Sequence, residues 1–556
     1  MGTVGQDLRY AWRQLRKHPG FAVLAIFTMA LGIVANSTIF TWIHSTLFNP
    51  VPGVTRTGDM VTLRRGESIS PPLSYDDYAD LRDRTRTLTG LLAYHDDSMS
   101  ITGSSTPERI YGALASSNYF QVLGVQPVLG RTFLPAQTNE RAGAAEAVIG
   151  YDLWQRRFAG DPAILGKTIQ INLHPYTIVG VAPRGFVGCK TGLRTELWIP
   201  LGMDRQVFGW PRVNDRSVTW LNALGTLAPG VDRRQADKEL NLLMQRIAGR
   251  YPLSHQGENR LATDPLWRSP FGVNVYLFGT LPILEALAAL LLLLACANVA
   301  NLLLVRSVAR RRELAIRLSM GAGHWRVVRQ LLTENLALAL AGGAAALALT
   351  LWTSRSLGLF VTASPLPITL DGEVDRAVLL ATVAVSIFTA VLSGLLPALR
   401  ATALAPAEVL KEESLGSTGG IAKSRLSGSL VILQVALSLL LLVCAGLFVR
   451  SLRHAQSIDP GFDPSNMLLA SVDLGPAGYS APAGMEMERQ ILDRVSGLQG
   501  VQSATLADFS PLNFTIHSES ASSPEGYVPA SHESLEVDRG IVGPGYLKTL
   551  RTPLIA

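Results

Sequence analysis

Five blocks of this chain are long and apolar enough to cross a lipid bilayer. Residues 21–47, 281–305, 331–352, 377–399 and 428–449 each offer about 20 mostly apolar positions. At about 1.5 Å per residue, that number spans a hydrocarbon core of about 30 Å. Lys and Arg stay out of their centres, where each would cost roughly 2.5–3.5 kcal/mol. Only 17% of the 556 residues are charged and the mean hydropathy is +0.24, which is too apolar for a soluble chain of this size. The pattern predicts a polytopic membrane protein. The first block is too long for the core of a secretion signal and carries Asn36 and Ser37 in its second half. It also lacks a small-x-small cleavage site and reads as a retained anchor.

The distribution of charge orients the spans. A net charge of +6 would suit a nucleic-acid binder, but the cations cluster beside the apolar blocks. Seven arginines lie between Arg306 and Arg329, and Arg9, Arg13, Arg16 and Lys17 precede the first block. Arg400, Lys411, Lys423 and Arg425 separate the fourth from the fifth. The loop after the third block holds Arg355 against Asp371, Glu373 and Asp375. This is the positive-inside pattern. It predicts a cytoplasmic N-terminus, with residues 48–280 and everything after Arg450 outside; no nucleic-acid partner is needed, because anionic lipid accounts for the cations. Cys296 and Cys444 fall inside spans, which leaves Cys189 without a disulfide partner in the exported part.

The expected order is an amphipathic helix over 1–20, a span over 21–47 and an outer domain over 48–280. Spans over 281–305, 331–352, 377–399 and 428–449 follow, separated by segments 306–330, 353–376 and 400–427, and a last outer region covers 450–556. Within the outer domain, Ser74 reads as the N-cap of a helical stretch from Tyr75 to Tyr94, with Asp76, Asp77 and Asp80 as its solvated start. Residues 165–183 alternate as a hairpin around a turn at Asn172–Pro175, and 231–251 form an amphipathic helix entered from Pro229-Gly230. The fold expected is a membrane α-helical bundle plus an extracytoplasmic α+β domain.

The chain also repeats itself. NYFQVLGVQPVLGRTF at 118–133 aligns with GYLKTLRTPLIA at 545–556, pairing Tyr119 with Tyr546, Leu123 with Leu550 and, after a one-residue gap, Pro127 with Pro553. Each follows a basic-flanked apolar block and a polar stretch. The expectation is a duplicated membrane module whose second copy is incomplete, by about 250–280 residues on comparison with the first.

Catalytic chemistry is poorly represented. GDPAILGKT at 160–168 has five residues between its glycines, where a phosphate loop needs four, and Asp161 would repel phosphate. No nucleophile elbow, HExxH or Asp-rich loop is present, and His174 sits in a turn where it should be solvated. Asn36, Glu285, Asn298, Asn301 and Glu334 lie near the ends of spans and are expected to cap or hydrogen-bond between helices. A membrane-anchored enzyme is therefore disfavoured, and no metal or cofactor is expected.

RRRELAIRLSMGA at 310–322, with Glu334 in the following QLLTEN, closely resembles the signature loop of FtsX/MacB-type ABC transporter permeases. PALRATALAPAEVLKEE at 397–413 resembles that family's second signature. SYDDYADLRDR, NYFQVLGVQPVLGRTF, LWQRRFAGDPAILGKTIQINLHPYTIVGVAP and LWIPL resemble motifs of its periplasmic core domain. The resemblance runs along essentially the whole chain in the family's order, and the tandem layout resembles its duplicated orphan permeases. Ser319-Met320 departs from the smaller Ala-Leu pair usual in the family. The resemblance implies tandem copies of one span, an outer domain and three spans in the bacterial inner membrane. It further implies a separate ABC ATPase docking on a coupling segment, for which the candidate contacts are Arg312, Glu313, Arg317, Met320, Gly321 and Ala322. Mechanotransmission would drive macrolide-exporter-like efflux or extraction of amphiphiles, among membrane lipids and with a periplasmic adaptor. The alternative is an FtsX-like signalling protein that controls a periplasmic partner.

Overall fold

The computed structural model describes residues 16–48, 51, 53–54, 57–66, 71–102, 107–134, 140–255, 259–272, 278–310, 323–361, 376–402, 421–472, 474–475, 478–509, 518–520, 536–538 and 540–553. It also describes Arg9, Arg13, Glu313, Ile316, Ser319 and Met320. Its helices are α1 (Pro19–Ile43), α2 (Tyr75–Arg84), α3 (Tyr119–Leu123), α4 (Tyr151–Phe158), α5 (Asp204–Phe208), α6 (Arg233–Arg250), α7 (Leu281–Ala309), α8 (His324–Val361), α9 (Arg376–Thr402), α10 (Ile421–Ser457), α11 (Ala481–Ser496) and α12 (Tyr546–Thr549). Its strands are β1 (Met60–Arg65), β2 (Leu88–Thr102), β3 (Glu108–Ala115), β4 (Leu129–Gly130), β5 (Glu146–Ile149), β6 (Thr168–Ile171), β7 (His174–Val181), β8 (Leu197–Pro200), β9 (Asn222–Leu227), β10 (Leu261–Pro265), β11 (Ser518–Ser520) and β12 (Glu536–Asp538). The chain divides into two units, Met1–Asn49 with Val275–Ser457 and Pro50–Asn274 with Ile458–Ala556.

Among the described residues, the first unit holds five helices long and apolar enough to span a bilayer: Pro19–Leu47, Leu281–Ser307, His324–Thr353, Arg376–Leu399 and Gly428–Ser457. They run longer than expected. α8 starts at His324 rather than near 331, because Gly323 O accepts from Arg326 N and Val327 N and opens the helix there. α10 starts at Ile421, inside the segment read as a linker. Of the amphipathic helix read over 1–20, Arg9, Arg13, Arg16 and Lys17 are described; they are helical and exposed, while most of the rest lies outside the described residues.

Helices α1, α7, α8 and α9 share one core, built from Met29 and Ile33, Leu292 and Val299, Leu338 and Ala346, and Ala390. Small residues bring the backbones together: a Cβ on Gly32 would lie 3.0 Å from Ala295 Cβ and 3.3 Å from Leu292 Cα. Polar side chains then bond across helices, as expected inside a bundle. Asn36 Nδ2 donates to Ala288 O at 2.9 Å, and Ser37 Oγ meets Thr382 Oγ1 at 3.1 Å. α10 rests against α7, where Asn301 Nδ2 donates to Gln434 Oε1 at 3.1 Å. None of its most apolar window is buried.

The second unit is organised by a 10-stranded mixed sheet of order β10-β1-β9-β2-β3-β8-β5-β7-β4, with β6 bridging β2 and β7. Strand alternation divides its side chains between two cores. Leu91 and Ala93 of β2 join α2, α4 and α6 on one face, whereas Leu92 and Tyr94 join α3, Phe186 and Trp198 on the other. Both expected helices are capped, the first by the serine its sequence suggests. Ser74 Oγ accepts from Asp77 N, and Asp232 and Gln235 form a capping box at the start of α6. The hairpin β6–β7 turns tightly at Asn172-Leu173, both at positive φ, and His174 is exposed.

Two expectations needed correction. The helix expected from Tyr75 to Tyr94 ends at Arg84, and 88–94 is strand; Leu91 through Tyr94 are buried from both faces, a burial that a one-faced helix could not give them. Of the acids at the start of α2, Asp76 and Asp80 are partly buried and Asp77 is not solvated. Asp77 is 1% exposed and takes hydrogen bonds from Arg216 (2.9 Å) and His255 (3.2 Å), with Arg65 at 3.8 Å. Arg216 also reaches Asp76 and Asp80.

The repeat reappears as geometry. Ser116 N donates to Ala93 O (2.9 Å) and Gly543 N to Leu506 O (2.8 Å); Val122 N donates to Asn118 O (2.9 Å) and Thr549 N to Gly545 O (2.8 Å); Val125 N donates to Phe120 O (2.9 Å) and Thr552 N to Leu547 O (2.9 Å). Leu123 and its counterpart Leu550 are both buried.

Candidate coupling site

The link between α7 and α8 is where the sequence placed its candidate residues. α7 carries its last turn past the apolar stretch, and Arg310 N donates to Arg306 O at 3.2 Å. Glu313, Ile316 and Ser319 are helical, and Met320 N closes on Ile316 O at 3.0 Å. The helix stops there, and α8 begins beyond Gly323. This is the break expected from Met320-Gly321-Ala322-Gly323. Of the candidates, Arg312, Arg317, Gly321 and Ala322 lie outside the described residues. Met320 is 76% exposed, and Ile316 and Trp325, which the sequence reading did not single out, are exposed with it. Glu313 is half-exposed and already has an internal partner, because Arg310 Nε donates to its Oε2 at 3.3 Å.

Three contacts hold the root of this segment, and of the residues that make them sequence reasoning singles out Glu334 but none of the pairings. Arg310 Nη1 donates to Glu334 Oε2 of α8 at 3.0 Å, with both side chains 13% exposed. Gln330, one turn before, donates to the other Glu334 oxygen at 3.4 Å. The Arg306 guanidinium lies 4.4 Å from the centre of the Phe21 ring of α1, a cation–π contact. Glu334 could be noticed from its motif, but nothing in a linear reading pairs it with Arg310 or sets Arg306 over Phe21.

The outer domain offers little chemistry to compete with this. Asp161 caps the turn Pro162–Ile164 and pairs with Lys167 at 2.6 Å, so the lysine of the phosphate-loop look-alike is tied to its own loop. Cys189 is buried and unbridged, and burial raises its thiol above the ordinary range. Among the described residues, no cluster of three or more His, Cys, Asp or Glu is arranged to hold a metal.

Comparison with known proteins places the two halves of this architecture. The family described as MacB-like periplasmic core domain matches residues 22–243, and the family described as FtsX-like permease C-terminal matches 285–406, which contains the whole coupling segment. The chain belongs to the MacB/FtsX-type permeases. The macrolide export ATP-binding/permease protein MacB of Salmonella paratyphi A is 26% identical over 301 residues, 54% of this chain and 43% of that protein. The protein of the same name from Escherichia coli K12 is 29% identical over 304 residues, again 54% and 43%. The matched stretch thus spans less than half the length of these relatives. The periplasmic region of MacB from Actinobacillus actinomycetemcomitans aligns with a TM-score of 0.28 at 15% identity, covering 38% of this chain and 91% of that one. MacB/FtsX-type permeases are multi-pass membrane proteins that work with an ATPase subunit, and the five apolar helices and the separate sheet domain agree with that membership.

Proposed function

We propose that this chain is the permease part of an ATP-driven machine of the bacterial inner membrane, which exports or extracts periplasmic or membrane-embedded amphiphiles by mechanotransmission. The N-terminus and segment 306–330 face the cytoplasm, where the arginine clusters favour the anionic leaflet, and the sheet domain lies outside. The observation that carries this reading is the α7–α8 link. Between the ends of two spans its described residues Glu313, Ile316 and Ser319 are helical, Ile316, Met320 and Trp325 are exposed, and its root is pinned to α1 and α8. Such an element can take a push from a docked ATPase without a polar channel through the spans. Arg312, Glu313 and Arg317 would give the contact its charge complementarity, and Gly321-Ala322 its close approach. Glu313 suits a shared role, since its carboxylate stays half-exposed while bonded to Arg310. The repeated geometry at 543–552 supports a second copy of the module in the same chain, a covalent counterpart of two permease halves.

The test is a mild-detergent capture of the tagged chain from its native membranes, with and without Arg312, Glu313 and Arg317 changed to alanine. A Walker-motif ATPase recovered with the wild type and lost with the triple variant is the expected result. A wild-type chain that brings down no ATPase would sink the coupling reading and favour a signalling role.

A further inference from the structure

The bonds at the root of the coupling segment continue beyond it. Arg310 is fastened to α7 through its backbone and to α8 through Glu334. The next residue on α8, Asn335, is 1% exposed and donates through Nδ2 to Ala390 O at 2.6 Å and Ser393 Oγ at 2.9 Å, both on α9. Gly394 leaves room for that amide, because a Cβ there would lie 2.6 Å from Asn335 Nδ2. On the other side of the root, Arg306 sits on Phe21 of α1. Adjacent residues of one helix thus receive a charge-assisted bond from the coupling segment and pass a buried bond to the next span. Displacing Arg310 would break a partly buried ion pair unless α8 moved with it, and displacing α8 would strain the Asn335 bonds unless α9 followed.

We propose that Arg310 and Glu334 form the link through which movement of the coupling segment enters the spans, with Asn335 handing it on to α9. Arg310 and Glu334 are positioning residues in this scheme; they do not form the docking surface, since both are largely covered while Ile316, Met320 and Trp325 are exposed. The inference rests on the coupling reading and adds to it a division of labour, in which the tip binds and the root transmits. A pair that transmits needs opposite charges in register, so exchanging the two should preserve it in part; a glutamate at 310 would also face Glu313, which Arg310 meets at 3.3 Å. Coupling carried by a contiguous network of this kind can be shown only by perturbing it.

The experiment uses the full chain in lipid nanodiscs with the ATPase that copurifies with it. The variants are Arg310→Glu, Glu334→Arg, the double exchange, and Arg310→Lys, each confirmed as a monodisperse particle. Two quantities are read: the amount of ATPase bound, and the change in ATP turnover that the chain imposes on it. All four variants should bind the ATPase as the wild type does. The single reversals should lose the imposed change by about tenfold or more, the size of effect expected when a partly buried pair is broken. Arg310→Lys should restore most of it, and the exchange a clear part of it. Single reversals that keep the imposed change, or an exchange that fails to restore it, overturn the link while leaving docking intact. A wild-type chain that binds no ATPase overturns the coupling reading itself, a different result from a loss confined to the variants.

Discussion

Arg551 holds the left-handed backbone conformation, φ 54°, that Gly124 holds at the matching place after α3, φ 68°. In both places the residue ends a short helix and lets the chain fold back, so that Val125 N reaches Phe120 O and Thr552 N reaches Leu547 O. Glycine is at ease there and arginine is strained. Arg551 is retained beside Asp463, whose carboxylate it meets at 2.6 Å on the surface, where such a pair contributes about 0–1 kcal/mol. Arg551→Gly should therefore change the stability of this region by less than about 1 kcal/mol, while Arg551→Ala, which keeps the strain and loses the pair, should be the worse of the two. Hydrogen exchange at residues 545–552 reads the difference, and an alanine variant better protected than glycine would contradict the backbone argument.

Asp77 is the one carboxylate buried among Arg216, His255 and Arg65, and the cations should not be equally replaceable. Asp77→Ala leaves Arg216 its contacts with Asp80 and Asp76 but takes the carboxylate from Arg65 and His255, and should destabilise the sheet domain by about 1–3 kcal/mol. Arg65 is different. Its Nε and Nη2 have no hydrogen-bond partner, and burial lowers its pKa despite the nearby Asp77. Arg65→Met should stay within about 1 kcal/mol of the wild type. Thermal melts of the two variants in the same detergent decide the matter, and equal losses would refute the distinction.

His95 should make the sheet domain acid-sensitive. Burial, helped by the Lys190 cation, lowers its pKa from 6.5 to about 3, while its Nδ1 meets Trp220 O at 2.7 Å. Between about 6.5 and about 3 the unfolded chain binds a proton that the folded one does not, so stability rises with pH across that window and is lost as pH falls through it. By pH 4 the loss from this residue should be about 2–3 kcal/mol. His95→Gln should flatten that part of the profile. Tryptophan fluorescence can follow it, because the Trp220 ring centroid is 5.6 Å from that of His95.

In the membrane unit, Gly32 should tolerate no side chain. A Cβ there would meet Ala295, the Leu292 side chain and the α7 backbone within 3.0–3.3 Å, so Gly32→Leu must push α1 away from α7, at about 1–3 kcal/mol. Gly428→Leu, with nothing within 4 Å, is the control and should be neutral. The melting temperature in detergent should separate them by several degrees, and equal melting would show that α1 and α7 are free to part.

Much of this protein could be read along the chain. Five spans, the cap at Ser74, the β6–β7 hairpin and the helix break at Met320 follow from hydropathy, period and local hydrogen-bonding chemistry, because each is settled by residues within a turn or two of one another. The family resemblance marked the coupling segment and Glu334, again from contiguous residues. The repeat was legible too, and its geometry recurs in the short-range backbone bonds around Leu123 and Leu550. What the tertiary structure decided lies between distant segments. Asp77 looked like a solvated helix start until Arg216 and His255 closed over it, and 88–94 became strand because the sheet buries Leu91 through Tyr94 on both faces. Arg310 finds Glu334, and Arg306 finds Phe21, only through the rotation and packing of α1, α7 and α8 about their axes. A sequence states which charges a chain carries, but the partner of a buried charge is set by whichever segment packing brings within about 3–4 Å of it, where the loss of water makes that choice energetically decisive.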